Sequence, residues 1–201
     1  ISNDGKNGQG KETDFLYARK HKPRFRIEVL LYFALIGTAY LFIEIALFQK
    51  YILLFGYTSY SFAIVVATIL LFSGLGSYFS RKAPRVSTSV YILLVVLVGF
   101  SPLISQSVLD KALGWSLSGR FLIILVSLAP LAFFMGYPFP LGISCVERIN
   151  SKIIPWAWAI NGCASVVASV IAALIALDYG FNKLLWLGAV CYLGAMIIFF
   201  L

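Results

Sequence analysis

Six long apolar runs constrain this chain more than any other feature: Val29 to Phe48, Tyr60 to Phe79, Val90 to Leu109, Phe121 to Met135, Ile154 to Leu177 and Leu184 to Leu201. Each meets or approaches the roughly 20 residues that a helix needs to cross the hydrocarbon core of a bilayer. Within lipid every backbone N–H and C=O must be paired inside the protein, so only helices and closed barrels span it. A barrel strand alternates apolar and polar positions over about ten residues, whereas Tyr91-Ile92-Leu93-Leu94-Val95-Val96-Leu97-Val98 is apolar throughout. The pattern predicts an all-α fold, a polytopic membrane bundle of six transmembrane helices. Composition agrees: 61% of the 201 residues are hydrophobic and 12% charged, against about 45–50% and 25% in soluble domains.

The net charge of +8 would suggest nucleic acid as a partner of a soluble protein. Here the basic residues lie between apolar runs and read as topology signals instead, so no nucleic acid is expected. With the N-terminus inside, the inner segments hold Lys6, Lys11, Arg19, Lys20, Lys22, Arg24, Arg26, Arg81, Lys82, Arg85, Arg148 and Lys152, and the outer ones only Lys50, Lys111, Arg120 and Lys183. Lys and Arg are retained on the cytoplasmic side. Both termini are therefore expected in the cytoplasm, with the chain a multi-pass protein of the inner (plasma) membrane.

Residues 1–27 are polar and basic, with Gly5, Gly8 and Gly10 near the start, and read as a cytoplasmic linker ahead of a transmembrane domain at 28–201. The chain opens without Met and without a secretory signal, and its last apolar run stops at Leu201 with no polar flank. It is expected to be a C-terminal piece of a larger protein. Cys145, Cys163 and Cys191 are widely spaced and the chain has a single His, so neither disulfides nor zinc are indicated. The cysteines read as core thiols.

Glu44 is the carboxylate set deepest in an apolar run. Inserting an acid at a helix centre costs about 2.5–3.5 kcal/mol on translocon scales, so Glu44 should face a partner or a wet cavity. Tyr40, one turn earlier on the same face, could hydrogen-bond it, and Gln49 and Lys50 follow near the outer interface. Asn161, one turn before Ser165, is either interhelical glue or a ligand-binding amide. Tyr40, Glu44, Gln49 and Asn161 thus form a candidate intramembrane polar site, serving either a proton or cation or simply helix register.

Other segments read as packing devices. Gly74 and Gly76, with Ser73 and Ser77, lack the remaining glycine and the Lys of phosphate loops and offer a small face for a close helix. Ala164, Ala168, Ala172 and Ala176 recur every four residues, a ridge that suits the bundle centre. Pro102 and Pro130 should kink their helices. Phe133-Phe134-Met135-Gly136-Tyr137-Pro138-Phe139-Pro140-Leu141-Gly142 breaks regular helix near the inner face and reads as a rigid exit loop. Pro155 suits the first turn of a helix, and Trp156 and Trp158 the inner headgroup belt.

Four segments taken together, YLFIEIALFQK (Tyr40 to Lys50), LFSGLGS (Leu71 to Ser77), FFMGYPFPLG (Phe133 to Gly142) and PWAWAINGCAS (Pro155 to Ser165), resemble the membrane portion of large bacterial proteins described as multi-span spermidine or spermine synthase-like. The resemblance runs from about Ile27 to Leu201, and Thr13-Asp14-Phe15-Leu16-Tyr17 is similar to the linker that precedes that portion. It implies a fused or associated cytosolic aminopropyltransferase-type domain linked to polyamine biosynthesis. Nothing in this chain resembles that domain's glycine loop or acidic residues, so no catalytic residue is carried over and no cofactor is expected in this segment. Two classes of function follow: a membrane domain anchoring or serving the transferase, with the bilayer and that domain as partners, or an export module for a small cation such as a polyamine. An oligomer is compatible with either.

Overall fold

The computed structural model describes residues 23–55, 58–80 and 87–200. Most of the linker and the Arg81–Arg85 loop lie outside them. The described residues are helical with no strand: α1 (Pro23–Phe55), α2 (Thr58–Ser80), α3 (Ser87–Ala112), α4 (Leu117–Met135), α5 (Pro138–Asn150), a 3₁₀ turn (Ser151–Ile153), α6 (Ile154–Tyr179) and α7 (Phe181–Phe200). Five segments are long and apolar enough to cross a membrane: Arg26–Ile52, Phe62–Ser80, Thr88–Ala112, Leu117–Tyr179 and Phe181–Phe200. The fourth, 63 residues long, comprises α4, α5 and α6 in succession.

Two boundaries move. Helix α1 begins at Pro23, inside the expected linker, because a proline in the first turn gives up an N–H that needs no intrahelical partner. The expected exit loop at 133–142 is instead a break at Gly136 and Tyr137 followed by α5. Pro138 opens that helix and Pro140 stays within its first turn, so both prolines are tolerated. Its sequence is amphipathic: Leu141, Gly142, Val146 and Ile149 are buried while Ser144, Cys145, Glu147 and Arg148 are exposed, the spacing of a helix lying on a bundle.

The centre is α1, which packs most extensively on α6 and α7 and also meets α2, α3, α4 and α5. Phe33, Ala39, Ile43 and Ala46 on it are wholly buried. Helix α6 is peripheral, contrary to the expectation from its alanine ridge. Ala168 and Ala172 are buried and Ala164 half-buried, but Val166, Val170, Leu174 and Leu177 are exposed. Small residues on one side of a helix bring one neighbour close, while the β-branched and leucine side chains Val166, Val170, Leu174 and Leu177 face away from the bundle. Cys145 and Cys163 are likewise exposed and only Cys191 half-buried, which corrects the core-thiol reading of the first two.

Contacts along the bundle set its direction. Near the start of α1, Tyr32 hydrogen-bonds Tyr91 at the start of α3 and its ring lies 5.7 Å from Phe199 at the end of α7. Near the other end of α1, Lys50 bonds Asn182 at the start of α7. The described chain therefore begins and ends at the same end of the bundle.

Helices α2 and α4 cross through reciprocal glycines. A β-carbon at Gly76 would overlap the Phe133 carbonyl oxygen, and one at Gly136 the Ser73 carbonyl oxygen. Gly162 on α6 has open space where its β-carbon would go. Replacing a helical glycine by alanine ordinarily stabilises by about 0.5–1 kcal/mol. We expect that sign for Gly162→Ala, and the opposite for Gly76→Ala and Gly136→Ala, each losing about 1–3 kcal/mol to overpacking. Thermal unfolding in one detergent measures all three; equal behaviour would refute the crossing.

Candidate functional site

The expected polar residues divide between two places. Tyr40 and Asn161 line a cleft of about 400 Å³ together with Gly37, Ser73, Gly74, Ser77, Gly136, Ser165 and Tyr192. Glu44 and Gln49 do not. The cleft lies along α1, between α2 and α6, which both pack on α1 but not appreciably on each other. The break between α4 and α5 closes one end through Met135, Gly136, Pro138, Phe139 and Pro140.

Each polar group is held by its helix geometry. The Asn161 side-chain amide donates to the Phe33 carbonyl of α1 at 3.0 Å, and the Ser165 hydroxyl donates to the Asn161 carbonyl at 2.8 Å. This crossing requires Gly37: a β-carbon there would sit 2.6 Å from the Asn161 carbonyl oxygen and 2.9 Å from Ser165 Oγ. Gly37 is the site residue missed in the sequence, where one glycine within an apolar run carries no periodic signal. Gly74, expected to pack like Gly76, has nothing within 4 Å of its would-be β-carbon; it widens the cleft instead.

Tyr40 does not pair with Glu44. Its hydroxyl and Ser73 Oγ are 3.2 Å apart, a contact from α1 to α2. Glu44 is half-buried on the next turn of α1, between the Tyr40–Ser73 contact and the edge-to-face Phe48–Phe62 pair at 5.2 Å. No hydrogen bond joins it to another described residue, so the expected inward partner is not found there. Gln49 is exposed.

Lys50, near the far end of α1, is 6% exposed. Its ammonium donates to Asn182 Oδ1 at 2.6 Å and reaches the Pro102 carbonyl at 3.5 Å. Pro102 also explains why α3 continues through a proline. It lacks the N–H that would bond the Val98 carbonyl, and the Ser101 hydroxyl takes that carbonyl at 2.7 Å. Tyr32 forms a third buried polar node. Its hydroxyl donates to the Pro138 carbonyl at 2.6 Å, and having only one hydrogen it accepts from Tyr91.

Searches against models of known protein families, curated proteins and solved structures find no match to the chain.

Chemically, the cleft offers hydroxyls, an amide and backbone carbonyls, and among the described residues no charged side chain lines it. Interhelical hydrogen bonds of this kind average about 0.6 kcal/mol and reach about 1.7 kcal/mol. Asn161→Ala should cost an amount in that range, measured by reversible unfolding in bicelles. Glu44→Gln, which keeps the shape and breaks no described bond, should stay within about 0.5 kcal/mol of wild type. A larger loss at Glu44 than at Asn161 would show that the carboxylate holds the bundle.

Proposed function

We propose that the chain is the integral membrane domain of a spermidine synthase-like protein, anchoring a cytosolic aminopropyltransferase-type domain and catalysing nothing itself. It crosses the inner membrane six times, α4 and α6 each counting once, with both termini cytoplasmic. The observation that carries this reading is that the described chain starts and finishes at one end of the bundle. That arrangement supports an even number of crossings, and a domain joined ahead of α1 would share its side with the basic residues Arg26, Arg148 and Lys152. The burial of Lys50 strengthens the charge argument, since it removes one cation from the opposite loops.

The alternative, a conduit for a polyamine, needs anionic groups along its path, because a desolvated cation requires compensation. Among the described residues the cleft has none: Glu44 stays outside it, and no Asp or Glu lines it. The anchoring reading is the one the geometry favours.

Topology is tested in a variant whose three cysteines are replaced by serine. A single cysteine at Ser151 should react with an impermeant maleimide only after the cells are opened, and one at Gly114 in intact cells. The reverse pattern would overturn the orientation. The reading frame ahead of Ile1 tests the anchoring role. A strand, a glycine loop and a helix followed by acidic residues would support it, and further apolar spans in their place would defeat it.

A further inference from the structure

Tyr192 lies on α7 with 1% of its surface exposed and lines the cleft beside Tyr40. No hydrogen bond joins its hydroxyl to another described residue. Among the described residues no fully enclosed side-chain polar atom lacks a partner, so this hydroxyl opens into the cleft. Buried hydroxyls are satisfied by a partner, and an occupant of the cleft within reach of Tyr192 would supply one. Asn161 spends one N–H on Phe33 and keeps its amide oxygen. Pro140 has no N–H to give the Gly136 carbonyl four residues earlier, leaving an acceptor at the cleft's end. These residues line one space, and none of the described lining residues is charged.

Of the cleft's lining residues, Leu70 and Gly74 on α2 are exposed and Asn161 and Ser165 on α6 half-buried, which puts its opening between these two helices. Leu70 is 58% exposed. These α2 residues are six and ten positions before its last residue, Ser80, or about 9–15 Å inside the helix end at 1.5 Å per residue. An opening at that depth faces acyl chains. The cleft's volume, about 400 Å³, falls within the roughly 300–1,000 Å³ of ligand sites.

We propose that this cleft binds a single-chain amphiphile with an uncharged hydrogen-bonding head, such as a long-chain alcohol, entering sideways from the bilayer. The head bonds Tyr192 and Asn161, and the chain leaves past Leu70 and Gly74. The absence of charge among the described lining residues sets the head's chemistry, since an ammonium or carboxylate would be desolvated without compensation. The site stands whether or not the chain anchors a transferase.

The test uses the whole chain in phosphatidylcholine nanodiscs with three photoreactive diazirine probes of equal length: a hexadecanol, a hexadecylamine and a hexadecanoic acid. Labelled residues are mapped by mass spectrometry. The alcohol should label cleft residues such as Leu70 and Met135 most strongly, and unlabelled hexadecanol should compete. Gly74→Leu fills open space and should reduce this labelling about tenfold or more, because the leucine occupies the ligand's volume. Gly162→Leu, equally unhindered but outside the cleft, should leave it unchanged. Tyr192→Phe breaks no described bond and should weaken apparent alcohol affinity about three- to tenfold, the effect of one neutral hydrogen bond. It decides the matter if Gly74→Leu fails to fold. Labelling spread evenly over lipid-facing positions such as Val166 and Leu177, labelling insensitive to Tyr192→Phe, or stronger capture of the amine or acid would overturn the proposal.

Discussion

Backbone contact at glycine is the constraint on which this bundle depends. In lipid, apolar side chains gain little by leaving their surroundings for one another, so helices associate through close packing and interhelical hydrogen bonds. Both need the axes near. Gly37 lets the Asn161 backbone and Ser165 approach α1, Gly76 and Gly136 bring α2 and α4 together, and Gly188 on α7 seats the Ile43 side chain of α1. Where such contact exists, hydrogen bonds across helices become short enough to form, as Asn161 to Phe33 shows at 3.0 Å. The glycines are thus upstream of the polar contacts.

Several buried polar groups are paired close to where a helix is interrupted. Pro102 frees the Val98 carbonyl for Ser101, and its own carbonyl accepts Ser105 at 3.0 Å and faces Lys50. Pro138 deprives the Phe134 carbonyl of its usual donor, and the Tyr137 N–H supplies one at 3.2 Å; the Pro138 carbonyl in turn takes the Tyr32 hydroxyl. Prolines that look like defects in an apolar run therefore supply acceptors for long-range bonds. Unpaired carbonyls in lipid would cost several kcal/mol each, which is why such positions attract hydroxyls from other helices.

The helical class and the membrane-spanning character were legible because they rest on run length and local backbone chemistry. What escaped reading depended on three-dimensional neighbours. Helix α5 was hidden because two prolines and two glycines suggest a loop until the buried positions Leu141, Val146 and Ile149 are seen to share a face. The alanine ridge of α6 identifies a contact surface, but small residues on one side do not say whether the other side meets protein or lipid. Glu44 drew attention as an intramembrane acid and Tyr40 as its neighbour, yet Tyr40 turns to Ser73 on α2. Spacing of four along a helix places two side chains near each other without obliging them to bond.

The cleft exists because its walls are each committed elsewhere. Helix α2 is held by the glycine crossing with α4, and α6 by Asn161 and Gly37 on α1. Neither can close on the other without giving up backbone contact. At the end, Phe139 is wedged by edge-to-face contacts with Phe33 at 5.3 Å and Trp158 at 4.6 Å, so α5 cannot slide in to fill the space. A void of this size kept open by three independent attachments would be a costly accident in a loosely packed bundle, since lining atoms without neighbours forfeit dispersion contacts. Filling by an amphiphile recovers those contacts and satisfies Tyr192 at the same time, with no rearrangement of the helices that frame it.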